Sequence, residues 1–109
     1  MTITELIDAL ELCPAVLVDE TVPVTGAYCG DLLSDVLANL DEGAAWMTVQ
    51  GHANIVAVAQ LRDPSCVVLV NGVNPEPDTV AKAKIHGINI LCSPRTSADL
   101  CMNMADLLN

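Results

Sequence analysis

Aromatic and basic residues are scarce in this chain. The 109 residues include no phenylalanine, one tryptophan and one tyrosine, so a hydrophobic core has to be built from aliphatic side chains. Four basic residues stand against fourteen acidic ones, which gives a formal net charge of −10. A protein with this negative net charge repels nucleic acids and anionic membrane surfaces. The cations are also scattered, at Arg62, Lys82, Lys84 and Arg95. The composition therefore predicts that the protein binds neither nucleic acid nor membranes.

Long apolar runs and targeting signals are also missing. No run approaches the roughly 20 apolar residues that a membrane-spanning helix needs. The amino terminus has no basic region ahead of an apolar one, as a secretory signal would have. These absences predict a cytoplasmic protein.

The cysteines show no metal-binding spacing. Five of them, at positions 13, 29, 66, 92 and 101, include no C-x-x-C pair, which argues against zinc or an iron–sulfur cluster. In a reducing compartment such residues behave as small apolar side chains. Cys66 and Cys101 fall on predicted core faces, whereas Cys29 and Cys92 lie near predicted loops, where they are candidates for exposure.

Complete catalytic motifs are absent from the sequence. There is no G-x-x-x-x-G-K-[ST] phosphate loop, no G-x-G-x-x-G dinucleotide fingerprint and no G-x-S-x-G nucleophile elbow. His52 can titrate near neutral pH, but it has no identified carboxylate or nucleophile partner. The sequence therefore favours an enzyme that uses His52 less than it favours a regulatory module or a ligand sensor. No cofactor is identified.

Apolar runs at regular spacing dominate the remaining sequence. They open at Val24, Ala45, Val67 and Ile88, about 21 residues apart, and each ends in a loop with polar residues, glycine or proline. The stretch from Ala44 to Asp63 shows this pattern most clearly, and it predicts a buried strand, a tight turn and a buried helix. Residues 54–62 have mixed propensity, and we interpret them as helix because they separate two strand-like runs.

The same reasoning assigns the other elements. Thr2 and Glu5 form a capping box for a helix that ends near Leu12. Further helices are predicted from Asp31 to a stop at Gly43, from Asn74 as cap with Pro75 first to Gly87, and from Thr96 or Ser97 onward. Strands are predicted at 22–27, 44–50, 66–70 and 88–91, and residues 15–18 are either a strand or a packed connection. Expected buried side chains include Leu32, Leu33, Val36, Leu37, Leu40, Val80, Ala83, Ile85, Leu100, Cys101, Met104, Leu107 and Leu108.

Strands that alternate with helices predict one α/β domain over residues 1–109. We expect three layers, with a mainly parallel sheet of four to five strands and helices on both faces. In such a sheet the loops that follow the strands share one edge, where open α/β folds bind ligands.

That edge supplies the candidate ligand site. Its loops are rich in small polar residues, and free N–H groups at helix starts would suit a nucleotide or phosphate. A second interpretation is that these are the residues that short turns require. The candidate ligand-binding residues are Gln50, Gly51, His52, Asn54, Asn71, Gly72, Asn74, Ser93, Arg95 and Thr96.

The central part of the chain resembles the DRTGG-domain family, in particular its short stand-alone members. Residues 30–39 (GDLLSDVLAN), 48–59 (TVQGHANIVAVA) and 69–74 (LVNGVN) carry most of the similarity within residues 26–93. Where the family has its D-R-T-G-G stretch, residues 19–23 of this chain read D-E-T-V-P, without the arginine and the glycines.

The resemblance implies an α/β domain related to the amino-terminal domain of HPr kinase, without that enzyme's catalytic P-loop domain. Family members serve as accessory modules beside CBS domains or phosphotransacetylase, and small ones accompany iron-only hydrogenase and other redox components. The leading hypothesis is therefore a non-catalytic regulatory or assembly module, homodimeric and with a possible protein partner. The alternative is a sensor that binds a nucleotide or phosphate at the loop edge.

Overall fold

A five-stranded sheet forms the middle layer of the computed structural model, which describes residues 1–108. The strands are β1 (Cys13–Val16), β2 (Gly26–Cys29), β3 (Ala44–Thr48), β4 (Cys66–Leu69) and β5 (Ile90–Cys92). Their order in the sheet is β1-β5-β4-β3-β2. Strands β2 to β5 run parallel, and β1 pairs antiparallel with β5. The sheet is thus mainly parallel, as predicted.

Helices cover both faces of this sheet. They are α1 (Ile3–Leu10), α2 (Leu33–Asn39), α3 (Asn54–Arg62), α4 (Pro77–His86) and α5 (Ser97–Leu108). Helix α3 packs against α2 and α4, while α1 packs against α5. The three-layer α/β prediction is confirmed.

Two hydrophobic clusters fill the spaces between the layers. On β3, Ala44 and Trp46 face the cluster under α2, α3 and α4, whereas Ala45 and Met47 face the cluster under α1 and α5. All five residues of β3 and all four of β4 are buried. Burial on both faces explains why these two runs are continuously apolar rather than alternating.

The first strand of the parallel set begins later than its apolar residues predict. Val22 and Val24 lie before β2 and pair with the start of the chain: the Val22 carbonyl accepts from Ile3 N–H at 3.1 Å, and Val24 N–H donates to the Met1 carbonyl at 2.7 Å. The predicted strand over 22–27 therefore overlaps β2 only at residues 26 and 27, because these long-range bonds hold its first half.

Two helix boundaries also differ from the prediction. Helix α2 ends at Asn39, because Leu40 takes an extended conformation, and Gly43 lies in the following turn with φ of +80°. Helix α4 begins at Pro77 after Glu76, rather than after Asn74. A proline at the first helical position is the expected signal, but Pro77 rather than Pro75 occupies it.

Several apolar side chains expected in the core are exposed. Leu32, Leu37, Ile85 and Leu107 belong to this group. Helix α2 is short, and within it only Val36 is buried. The cap predictions hold better, since Thr2 Oγ1 accepts from Glu5 N–H at 3.3 Å and Thr96 Oγ1 from Asp99 N–H at 3.2 Å.

The amino-terminal connection after β1 is held by a buried amide. Asn89 Oδ1 accepts from Val18 N–H at 2.8 Å and from Asp19 N–H at 3.1 Å. Its Nδ2 donates to the Asp19 carbonyl at 2.9 Å and to the Ser65 carbonyl at 3.3 Å. Asn89 thereby joins this connection, the approach to β4 and β5 in one network.

Candidate functional site

Three of the predicted loops are bonded together at the carboxyl edge of the sheet. Asn71 N–H donates to the Arg95 carbonyl at 2.9 Å, and Gly72 N–H donates to the Ser93 carbonyl at 3.0 Å. Asn71 and Gly72 reach these acceptors in left-handed backbone conformations, with φ of 58° and 75°. The loops after β4 and β5 therefore form one connected surface.

Gly51 attaches the loop after β3 to this surface. Its carbonyl accepts from Glu76 N–H at 3.1 Å and from Thr79 Oγ1 at 2.8 Å. A Cβ atom at position 51 would lie 2.7 Å from the Asn74 carbonyl oxygen. Only glycine allows the two backbones to approach this closely.

Asp31 connects the loops after β2 and β3. Its Oδ1 accepts from Thr48 Oγ1 and from Val49 N–H, both at 2.9 Å, and its carbonyl accepts from Gln50 Nε2 at 3.2 Å. Asp31 was predicted to lie in the first turn of a helix, but it precedes α2. The spacing of apolar residues in the sequence does not predict that Thr48 and Val49 bond to the Asp31 carboxylate.

A cavity of about 180 Å³ lies at this edge. Three predicted site residues, Gly72, Asn74 and Ser93, are among those that line it. The others are Cys13, Val73, Cys92 and Pro94. Pockets for drug-sized ligands measure about 300–1,000 Å³. This cavity has room for a phosphate group or for part of a nucleotide.

Several predicted site residues stabilise the loops themselves. His52 Nδ1 accepts from Asn54 N–H at 3.1 Å at the start of α3, and Ser93 Oγ accepts from Arg95 N–H at 3.1 Å. Together with the Thr96 cap, these bonds fit the interpretation that short turns select such residues. The N–H groups of Asn54, Asn71, Gly72 and Arg95 are engaged, contrary to the expectation of free amides.

Arg95 is the cation that the predicted loops contribute. Its Nε lies 3.6 Å from Asp99 Oδ2, and its side chain is 39% exposed. A half-exposed ion pair of this kind is weak and can exchange its partner. An anion at this edge would therefore meet the Arg95 guanidinium more readily than the loop amides.

A larger cavity of about 400 Å³ lies at the opposite, amino-terminal edge. No sequence motif predicts it. Glu42 and Asp63 are among its lining residues, and no lysine or arginine lines it. The full lining is Val22, Pro23, Thr25, Glu42, Gly43, Asp63, Pro64 and Ser65. Two carboxylates without a cation disfavour an anionic ligand there.

The cysteines differ in environment. Cys66 is fully buried, as predicted, and burial raises the pKa of its thiol to about 12. Cys29 is exposed and Cys92 partly buried. Cys101 is partly buried against the α1–α5 cluster, and its Sγ lies 3.0 Å from Cys29 Sγ. No sequence pattern predicts this pair, since the two residues are 72 positions apart.

Within residues 1–108, no group of three or more His, Cys, Asp or Glu side chains could hold a metal ion. The helices in this range are too short or too polar to cross a membrane.

The fold has a counterpart among solved structures. No family model matches the chain, and no curated protein matches it. The crystal structure of the CBS and DRTGG domains of the regulatory region of Clostridium perfringens pyrophosphatase, complexed with its activator diadenosine tetraphosphate, superposes with a TM-score of 0.76 at 15% identity. The match covers 94% of this chain and 45% of that chain. At this identity the similarity shows a shared fold, and the chain spans less than half of its structural neighbour.

Proposed function

We propose that this protein is a non-catalytic regulatory module of the DRTGG type that acts by self-association. The observation that carries the proposal is the fold, which is shared over 94% of the chain with part of a regulatory region. The sequence resemblance at residues 30–39, 48–59 and 69–74 points to the same family. By that resemblance, it would be accessory to a redox system of the hydrogenase type.

An apolar surface on α3 and α4 supports self-association. Leu61 is 72% exposed and Ile85 is 76% exposed. Their sequence neighbours Gln60 and His86 approach to 3.0 Å between Nε2 and Nδ1, which brings the ends of the two helices together. Large exposed apolar side chains near the ends of two adjacent helices favour an interface there. In a symmetric dimer each copy would cover this surface on the other.

Charge on this surface is expected to dissociate the dimer. We predict that Leu61→Glu combined with Ile85→Glu weakens self-association roughly 100-fold or more, because like charges would meet across a two-fold axis. Sedimentation velocity over a range of protein concentrations measures the change. Met102→Glu is the matched control, since Met102 is equally apolar and 69% exposed but lies on α5. A double variant that associates like the wild type would rule out this surface.

A nucleotide sensor is the second candidate function. The neighbouring regulatory region is complexed with diadenosine tetraphosphate. In this chain the carboxyl edge has a cavity of about 180 Å³, and Arg95 directly follows Pro94, one of the residues that line it. If one phosphate of a polyphosphate occupied this cavity, the rest of the ligand would lie outside it. That outer part would contact the exposed loops or a second copy of the chain.

Calorimetric titration with diadenosine tetraphosphate, and separately with inorganic phosphate, tests the sensor. We expect Arg95→Ala to weaken binding about 10-fold or more, because a charge-assisted contact to phosphate is lost. Lys84→Ala removes an exposed cation from α4 and is expected to leave the affinity unchanged. Equal affinities for wild type and Arg95→Ala would contradict the site.

An enzyme remains the third possibility and would require turnover that depends on His52. Its Nδ1 already accepts the Asn54 N–H bond, so only Nε2 would be available for proton transfer. The geometry therefore favours a structural role for His52.

A further inference from the structure

The strongest unexplained feature is the contact between Cys29 and Cys101. Their Sγ atoms are 3.0 Å apart, within hydrogen-bonding distance of each other. A disulfide bond is about 2.05 Å long, so rotation of the two side chains has to close a gap of only about 1 Å. Cys29 ends β2, and Cys101 lies in the second turn of α5.

Both cysteines are accessible in part. Cys29 is exposed and Cys101 is partly buried, whereas a structural cysteine such as Cys66 is sealed in the core. A small oxidant can therefore reach the pair without unfolding of the domain.

We propose that Cys29 and Cys101 are a modification site, at which a peroxide converts the two thiols into a reversible disulfide. This inference is independent of the proposed regulatory role. One of the two sulfurs attacks one oxygen of the peroxide, the O–O bond breaks, and the released hydroxide takes the thiol proton to give water. The other sulfur then attacks the sulfenic acid, the S–S bond forms as the S–O bond breaks, and the leaving hydroxide takes the second thiol proton to give a second water. The two electrons that the sulfurs lose are those that hydrogen peroxide gains.

Desolvation, followed by the hydrogen bond and charge of the Cys101 sulfur, raises the pKa of the Cys29 thiol to about 12. Little Cys29 thiolate is therefore present at neutral pH, and its reaction with peroxide is expected to be slow there.

The disulfide would connect two parts of the carboxyl edge. The loop with Asp31 follows Cys29 directly, and α5 carries Cys101 one turn after the Thr96 cap. Because the bridged residues are 72 positions apart, the bond would close a long loop in the unfolded chain. Oxidation should therefore raise the unfolding temperature by on the order of 10 °C.

The test uses the intact chain, reduced and then treated with hydrogen peroxide. We expect non-reducing peptide mapping to find Cys29 joined to Cys101 within one chain, and a reductant to restore both thiols and the lower unfolding temperature. The Cys13→Ser, Cys92→Ser double variant is the matched control, because this neighbouring pair faces across β1 and β5, and it should respond like the wild type. The Cys29→Ser, Cys101→Ser double variant should lose the temperature shift.

Three results would overturn the proposal. They are a bond that maps to Cys13 and Cys92, a bond between two chains, and peroxide treatment that yields only higher oxidation states of single cysteines. Mapping on the wild type decides among them even if a serine variant fails to fold.

Discussion

Trp46→Ala is expected to lower the free energy of unfolding by about 3–5 kcal/mol. The indole is fully buried in the cluster under α2, α3 and α4, and its Nε1 donates to the Gly30 carbonyl at 2.9 Å. Since domains of this size are stable by only about 5–15 kcal/mol, the loss threatens the fold as a whole. Urea unfolding followed by circular dichroism measures it, because the variant lacks the only tryptophan.

Trp46→Phe separates packing from hydrogen bonding at this position. It keeps much of the buried ring but leaves the Gly30 carbonyl without its donor, which costs about 1–3 kcal/mol. A loss below about 1 kcal/mol for Trp46→Ala would contradict the packing of the central strand described above.

Asn89→Leu is expected to cost about 3 kcal/mol, because it keeps the side-chain size and removes four hydrogen bonds. The side chain is 3% exposed, so water cannot readily replace these bonds. The Ser65 carbonyl would lose a buried donor, and the connection after β1 would lose its attachment. Chemical denaturation gives the free energy, and amide exchange at Val18 and Asp19 reports the local detachment.

Asn103→Leu serves as the comparison for Asn89→Leu. Asn103 is exposed on α5, where its Nδ2 donates to the Asp99 carbonyl at 2.8 Å within the same helix. Its replacement should change stability by no more than about 0.5 kcal/mol. Similar losses at both positions would refute a special role of the Asn89 network.

The sheet and the buried helix are the parts of the fold that the sequence predicts best. Helix α3 spans Asn54–Arg62, as predicted, although its β-branched residues favour strands. The assignment was correct because it relied on the position of this segment between two apolar strands rather than on local propensity. The strand over 44–50 was also predicted, and it ends two residues earlier, at Thr48.

Errors occur where distant backbone segments pair. Nothing in the local pattern around Val22 and Val24 reports that Met1 and Ile3 bond to them. The start of α4 was misplaced because two prolines, Pro75 and Pro77, offer the same local signal. Which of them begins the helix depends on how the loop meets Gly51.

The convergence of the loops at one edge of the sheet is predictable from the sequence, but their contacts are not. Strand direction alone places the loops with Gly51, Asn71 and Ser93 at one edge, and hydrogen bonds join them there. The sequence does not reveal that most of the loop N–H groups are engaged. It also does not reveal that Asp31 and Thr48 bond, or that Cys29 meets Cys101. These contacts join elements that are far apart in sequence, so short-range sequence patterns cannot predict them.

Native mass spectrometry of the unmodified chain tests self-association most directly. The protein would be purified anaerobically under reducing conditions, without chelators or added ligands, and measured at several micromolar concentrations. We predict a homodimer that gives way to monomer only on dilution, and that is lost in the Leu61→Glu, Ile85→Glu variant. A wild-type protein that is monomeric at every concentration would contradict the proposal.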